Sequence, residues 1–584
     1  MPAQDFTNQL VVDVAGQRLP ADVAALLVEG VVDDSRTAPD LFLLRFRDPH
    51  NVVVARSHVT IGATVTLAVA SNESRTPRPL LVGDVTALEK EADGTGTFTV
   101  IRGLDKSHRL LRGRRVASYR QMTVSDVAQR VARNAGLDVG RVDATTTVLD
   151  QVSQGNATDW AFLRDLASGV GAEVAVADGR LDFRKPSPAG EAPGQVDAAE
   201  SPLVLEVGRN VLRLRAVVTS AEQVPSVEVR GWDDVHKRAV VGTAPAATRV
   251  AEVGAKPADL AEAFRAPVLV AADTPYATQG EVDAAAKALA EQVAGGFAEL
   301  EAVIRGNPQV RAGTAVSLAN AGAPFDGKYT VTATRHVFEP ETGYTTWVTV
   351  AGFQDRTLYG LVVGANGGAP PATPGVVVAQ VSDNRDPEDR GRVRLTFPWL
   401  SDDFVTDWAR TVQPGAGDRR GALVVPEVGD EVLVAFEQGS FQRPYVIGGL
   451  YNGVDVPADG EVPLVDHSSG AVNRRSVVSR TGHRLDLVEA ANGPQGVRLR
   501  TGDGKLTLDL DQQQTRVTVH SDGTVSIEAR NGVTVDAGTG TLTLSGRDIA
   551  LNARAGVRVD GGAGEVSLTS SSTCTVRAGI VRIN

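Results

Sequence analysis

The chain has 584 residues, more than one hydrophobic core usually serves, so several domains are expected. Its formal charge of -12 argues against phosphate-backbone binding, which gathers Lys and Arg, and no nucleic acid partner is expected. A single cysteine excludes an intrachain disulfide framework and a Cys-rich metal site. The opening MPAQDFTNQLVVDV has neither a basic start nor an apolar core, and no stretch reaches the ~20 apolar residues that span a bilayer. The expectation is a soluble protein made in a reducing cytoplasm without a signal peptide.

In chain order, residues 22–100 alternate in short runs such as VVVARSHVTI and TVTLAVA, broken by Gly, Asn and Asp, as antiparallel strands do. A first β module is assigned to residues 1–116. From Thr123 to Gly136 the spacing turns helical: a threonine cap, then Val124, Val127 and Val131, then a terminal glycine. A second helix, Asp159 to Ser168, carries Trp160, Phe162, Leu163 and Leu166 on one face, and the hairpin EVAVADGRLDF follows. Residues 117–200 therefore form an α+β insert. Strands resume with VLEVGRNVLRLRAVVTS and SVEVRGWD, and Gly280 to Gly295 is an alanine-rich helix, giving a second β module with a helix over 201–362. The run GANGGAPPATPG has almost nothing to bury and marks a linker, 363–375. Five strand-like runs, VVVAQV, GRVRLTF, WARTVQ, EVLVAF and YVIGGL, then suit a small five-stranded barrel of the OB type, 376–455. A polar connector, 456–480, precedes the tail, 481–584.

The tail repeats. VTVHSDGT, VSIEARNG, VTVDAGTGT, LTLSGRD and the units after them each carry an apolar pair at i and i+2 and then a turn, with a period of about eight residues. Alternation puts Val517 and Val519, Val525 and Ile527, Val533 and Val535, Leu542 and Leu544 on one face of successive strands, followed by Ile549 and Leu551, Val557 and Val559, Val566 and Leu568, and Cys574 and Val576. Two inward side chains per rung cannot enclose a dry core, and a single-chain solenoid needs longer coils. Three copies wound about one axis supply the missing walls and leave no long strand edge. The expected tail is an intertwined homotrimeric β-helix, a stiff shaft with Cys574 near its axis.

These residues meet a known family. The chain resembles the VgrG-like spikes of type VI secretion, phage tail hub and spike proteins, and the spikes of extracellular contractile systems. DNRDPEDRGRVRLTFPW, DWARTVQPGAGDRRG and VPEVGDEVLVAFEQGSFQRPYVIGGLYNG are similar to the family's OB module in order and spacing. RGLDKSHRLLRGRR, QMTVSDVAQRVARNAGL and QGNATDWAFLRDLASGVGAEV are similar to the hub shared with the phage late control D family. The resemblance implies that the two β modules are tube-like barrels with which three chains mimic a six-fold ring. The implied fold is thus mainly β: tube-like β-barrel hub modules with an α+β insert, an OB-fold collar and a trimeric β-helical needle. The implied function is a structural hub and spike that caps an inner tube, contacts baseplate proteins and is driven mechanically through a target cell envelope when a sheath contracts, in a particle that is cytoplasmic or released on lysis. Three VRIN ends would make a blunt apolar tip, so the resemblance also implies a separate conical PAAR-like tip protein.

Catalysis is not expected. Some family spikes carry a lysozyme between barrel and needle, but only a few tens of polar residues separate the two here, and no enzyme is expected beyond Asn584. No GxSxG elbow, Walker loop or HExxH occurs. GAGDRRG, 415–421, lacks the strand before and the helix after that a phosphate cradle needs, so Arg419 and Arg420 are placed on an exposed loop. DNRDPEDRG lacks the alternating carboxylates of a calcium loop, and in DGGAGEVSL Val566 stands where a ligand aspartate is required. His520 points away from the Val517 and Val519 face, and no HxH pair exists to bind iron at a tip, so neither metal nor cofactor is expected. The alternative readings are a tail fibre or adhesin that binds a surface glycan, disfavoured by only five Trp and seven Tyr, and a peptidoglycan hydrolase spike.

Overall fold

The computed structural model describes residues 8–71, 74–194, 197–352 and 375–583. The chain divides into two compact units after Val456. Of the segment read as a linker, 363–375, all but Gly375 lies outside the described residues.

In the first unit the two β modules share one sheet, open among the described residues, of eleven strands. Its order runs from Val211–Val218 through Ala298–Arg305, Gly343–Val350 and Ala333–Glu339 to Leu27–Ser35, Leu41–Arg47, Gly96–Asp105, Ser74–Asp93, Thr64–Ser71, Asn8–Val14 and Gln17–Arg18. The join is antiparallel, from Ala333 opposite Ser35 to Phe338 opposite Gly30, and Arg335 straddles it with a two-pronged ion pair to Asp33 at 2.6 and 2.8 Å. Alternation in LFLLRFR sends Phe42, Leu44 and Phe46 into the core with Val32, Val65 and Leu67. A second core lies under the other half, around Leu300, Ile304, Val316 and Tyr329.

One expectation fails inside the first module. VVVARSHVTI was expected as a strand, yet Val53–Ser57 is a short helix. The Asp48 carboxylate accepts the Val52 and Val53 N–H groups at 2.8 and 3.3 Å, so a cap outweighs the β-branched composition, and His58 ends the turn in a left-handed conformation.

The insert contains both expected helices. Val124–Asn134 starts from Thr123, whose hydroxyl accepts the Asp126 N–H while the Asp126 carboxylate accepts the Thr123 N–H. Asp159–Val170 is capped by Thr158 and stopped by Gly171 at a φ of 66°. The two helices and the hairpin Glu173–Ala177 with Arg180–Arg184 bury Trp160, Leu163, Val127, Val131 and Phe183 together. In the second module helix Gln279–Gly295 lies on Ser226–Asp233 and Arg238–Pro245, packing Val282, Ala286 and Ala290 on Val227, Val229 and Val240. Gly242 permits that approach: a Cβ there would sit 2.3 Å from the Val282 carbonyl oxygen.

Candidate functional site: the OB module and the apolar ladder

All five runs read as OB strands are present, in the order Arg394–Thr396, Val376–Asp383, Glu431–Phe436, Pro444–Gly449, Arg410–Thr411. EVLVAF and VVVAQV pair antiparallel and turn Val432, Val434, Ala379 and Val381 inward. Phe397 is fully buried, with the rings of Phe404, Phe436 and Phe441 centred 5.8–6.1 Å from its own.

The polar loops of this module are closed by their own chain. In DNRDPEDRG the Asp386 carboxylate accepts the N–H groups of Glu388, Arg390 and Arg392 at 3.1, 2.9 and 3.2 Å and the Arg392 guanidinium at 2.7 and 3.0 Å. The Arg392 hydrogen bonds hold this carboxyl far below the usual carboxylate range. Those oxygens are committed to a turn, not presented to an outside cation. GAGDRRG forms a two-residue hairpin, Ala416 opposite Gly421 and Gly417 opposite Arg420, that leaves Arg419 and Arg420 exposed. A cavity of about 230 Å³ beside the module is lined by Trp232, Tyr276, Arg410 and Arg443 among others.

The second unit opens with a five-stranded antiparallel meander: Arg474–Val478, Arg484–Glu489, Gln495–Arg500, Leu506–Asp511, Arg516–Ser521. Its first strand lies within the stretch read as a polar connector. One face is an apolar ladder in register: Val477 opposite Leu485, Leu485 opposite Leu499, Leu499 opposite Leu508, Leu508 opposite Val519, with Leu487, Val497, Leu510 and Val517 in the adjacent row. The other face is charged and partly closed by the chain just before it. There Arg484 donates to the Asp459 carbonyl at 2.7 Å and to Asp486 at 2.7 Å, and Arg474 donates to the Ala458 carbonyl at 2.8 Å. Arg474, Arg484 and Asp486 are buried. Burial pushes the Asp486 carboxyl up, and the Arg484 and Ser476 hydrogen bonds outweigh it, leaving it below the ordinary value. This charged face was not legible, because alternation shows two faces without saying which is covered.

On the ladder face the usual logic is inverted. Leu487 is 41 % exposed and Val519 62 %. From Val525 the apolar pairs continue: Val525, Ile527, Val533, Val535, Leu542, Leu544, Ile549, Leu551, Val557, Val559, Val566, Leu568 and Val576 are between 52 % and 79 % exposed, and Cys574 is exposed too. No strand forms within the chain among the described residues 522–583. Among residues 525–583 the backbone hydrogen bonds within the chain are Gly540 N–H to Ala537 O and Gly564 N–H to Gly561 O. His520 lies on the face opposite Val517 and Val519, its ring 3.0 Å from Asp522, and Asp560 is engaged by Gly562 N–H and Arg558. Among the described residues no group of three or more His, Cys, Asp or Glu is placed to hold a metal.

A wide β sheet with an α+β insert, an OB module and a repeat tail define a modular, β-rich chain. Residues 377–451 match the type VI secretion system/phage-baseplate injector OB domain family. Residues 79–339 match a second family, the Alg8 N-terminal domain. The chain resembles VgrG-type spike proteins. It is 26 % identical over 151 residues to the actin cross-linking toxin VgrG1 of Vibrio cholerae, covering 25 % of this chain and 14 % of that one. It is 31 % identical over 105 residues to the type VI secretion system spike protein VgrG1a of Pseudomonas aeruginosa, covering 17 % and 16 %. The matched part thus spans about a seventh of these relatives' length. In fold it is similar to a chain of the lidded Francisella PdpA–VgrG complex, with a TM-score of 0.51 and 8 % identity over 89 % of this chain and 80 % of that one.

Proposed function

We propose that this chain is a structural, homotrimeric hub and spike of a contractile injection apparatus. The observation that carries the reading is the tail: among the described residues from Val525 onward the apolar pairs are exposed, and the only backbone-to-backbone hydrogen bonds within the chain are two turn bonds, Gly540 N–H to Ala537 O and Gly564 N–H to Gly561 O. Backbone polar groups are normally paired, and an apolar face this long is covered in the working state. Two further copies, wound with the first, supply strand partners and a shared interior at once, which places Cys574 inside the shaft. The eleven-stranded sheet of the first unit supports the same assembly, since among the described residues it is open, with Val211–Val218 and Gln17–Arg18 as its end strands.

In this reading the hub meets inner tube and baseplate proteins, the OB module is the collar, and the tail is a puncturing shaft that does mechanical work on a cell envelope. The chain supplies no catalysis, is made in the cytoplasm, and binds a PAAR-like tip protein at its C-terminal end. Likeness to VgrG spikes and the injector OB match support the assignment. Light scattering tests it: the full chain should have three times its 61.2 kDa mass, and a chain stopped after Ser479 should fall toward one copy. A trimer that survives the truncation would locate assembly elsewhere. Capture of a co-encoded PAAR protein by the intact chain, lost when residues after Val566 are removed, tests the tip partner.

A further inference from the structure

The insert has a core of its own. Strands Arg115–Thr123 and Val148–Ala157 pair antiparallel as a two-stranded sheet, whose outer edge along Val148–Ala157 would otherwise present bare backbone groups. The OB module pairs with that edge at Ser153. The Gln442 amide accepts the Ser153 N–H through Oε1 at 2.8 Å and donates through Nε2 to the Ser153 carbonyl at 2.5 Å. Those are the two bonds that a residue of a neighbouring antiparallel strand would exchange. Two residues on, the Phe441 ring lies over Gly155, where an added Cβ would be 2.8 Å from the ring. The same Phe441 packs on Phe397, Phe404 and Phe436, so one side chain belongs to the OB core and to the seam. On the other side of Ser153, the Gln151 amide donates to the Val405 carbonyl at 3.2 Å. The loop that carries Gln442 is also held to the second module, by Gln438 donating to the Ala272 carbonyl at 3.1 Å.

We infer that the α+β insert is the seat of the OB module, with Gln442 acting as a one-residue surrogate strand that fixes the collar on the hub. The fit needs no side chain at 155 and a planar amide at 442, because only an amide offers a donor and an acceptor in the spacing of a peptide group. Resting on the spike reading, this gives the insert a mechanical role, in which thrust and torque from the hub reach the collar through the seam as well as through the covalent connection. The contacts lie within one chain, so they hold whatever the number of copies.

Amide hydrogen exchange of the full chain tests it, with Gln442→Ala and Gly155→Leu as variants. Gln442 is exposed and outside both cores, so its replacement leaves the folds intact. The expected result is that the Ser153 amide exchanges about tenfold faster in Gln442→Ala, the size of one net hydrogen bond. In Gly155→Leu faster exchange should spread along the whole seam, through 148–157 and 437–443, while helix Gln279–Gly295 is unchanged. Unchanged Ser153 exchange in Gln442→Ala, or a Gly155→Leu effect confined to residues 153–157, would overturn the inference. A single-copy mass for the unmodified chain would refute the proposed assembly and leave this test readable.

Discussion

Strand Leu41–Arg47 and strand Arg484–Glu489 follow the same rule of alternation with opposite outcomes. In the first, Phe42, Leu44 and Phe46 are at most 1 % exposed, because Val12, Val65, Leu67 and Val85 of other strands and Val23 and Val53 of the short helices join them in one core. In the second, Leu485 and Leu487 stand in solvent while Arg484 and Asp486 are buried. A strand pattern therefore states which residues share a face, and only the rest of the chain decides whether that face has a cover. The first unit completes its own cores; the second offers an interior without walls. Burial of apolar area is favourable by roughly 25 cal/mol per Å², so a ladder of this length is a strong drive to associate.

Charge placed in the tail should break this contrast most severely. Val533→Asp together with Leu542→Asp should abolish assembly, shifting the mass from three copies to one, while the melting temperature of the first unit stays where it was. If the double variant still assembles, those side chains do not face the shared interior.

A smaller effect, confined to the first unit, sharpens the contrast. His336 is fully buried in the shared sheet, its Nδ1 2.8 Å from the Tyr344 hydroxyl, and burial, assisted by the Arg311 charge, lowers its pKa from 6.5 to about 3. A group depressed in this way binds its proton more readily when unfolded, so stability is lost as pH falls below about 6.5. Asp105 works in the opposite direction, since burial raises its pKa to about 7 and the folded state takes up a proton first on acidification. The two slopes oppose each other in the parent. Relative to the parent, His336→Gln should therefore gain about 2 kcal/mol of stability between pH 7 and pH 5, and Asp105→Asn should lose stability over the same interval, both read by denaturant titration. Parallel profiles for parent and variants would show that neither group titrates differently on folding.

Much of this was legible. The helices at Thr123 and Thr158 were marked by caps and apolar spacing, and the OB strands by five runs between turn residues, because the determinants of both lie within a few positions. The short helix at Val53 was not, since its determinant is the Asp48 carboxylate and β-branched valines suggest a strand. Nor was the single eleven-stranded sheet, whose join pairs Leu27–Ser35 with Ala333–Glu339, segments far apart in the chain. The periodicity of the tail was plain and pointed to missing walls; the charged face of the meander was hidden, because its cover at 458–460 carries no pattern of its own.

Amide hydrogen exchange across Val525 to Val576 in the full chain tests the central claim most directly. Strand partners from other copies predict slow exchange at alternate amides along the repeat, holding until the assembly dissociates. Fast exchange throughout, in a sample whose first unit is protected, would mean that the backbone has no partners and that no shared shaft exists.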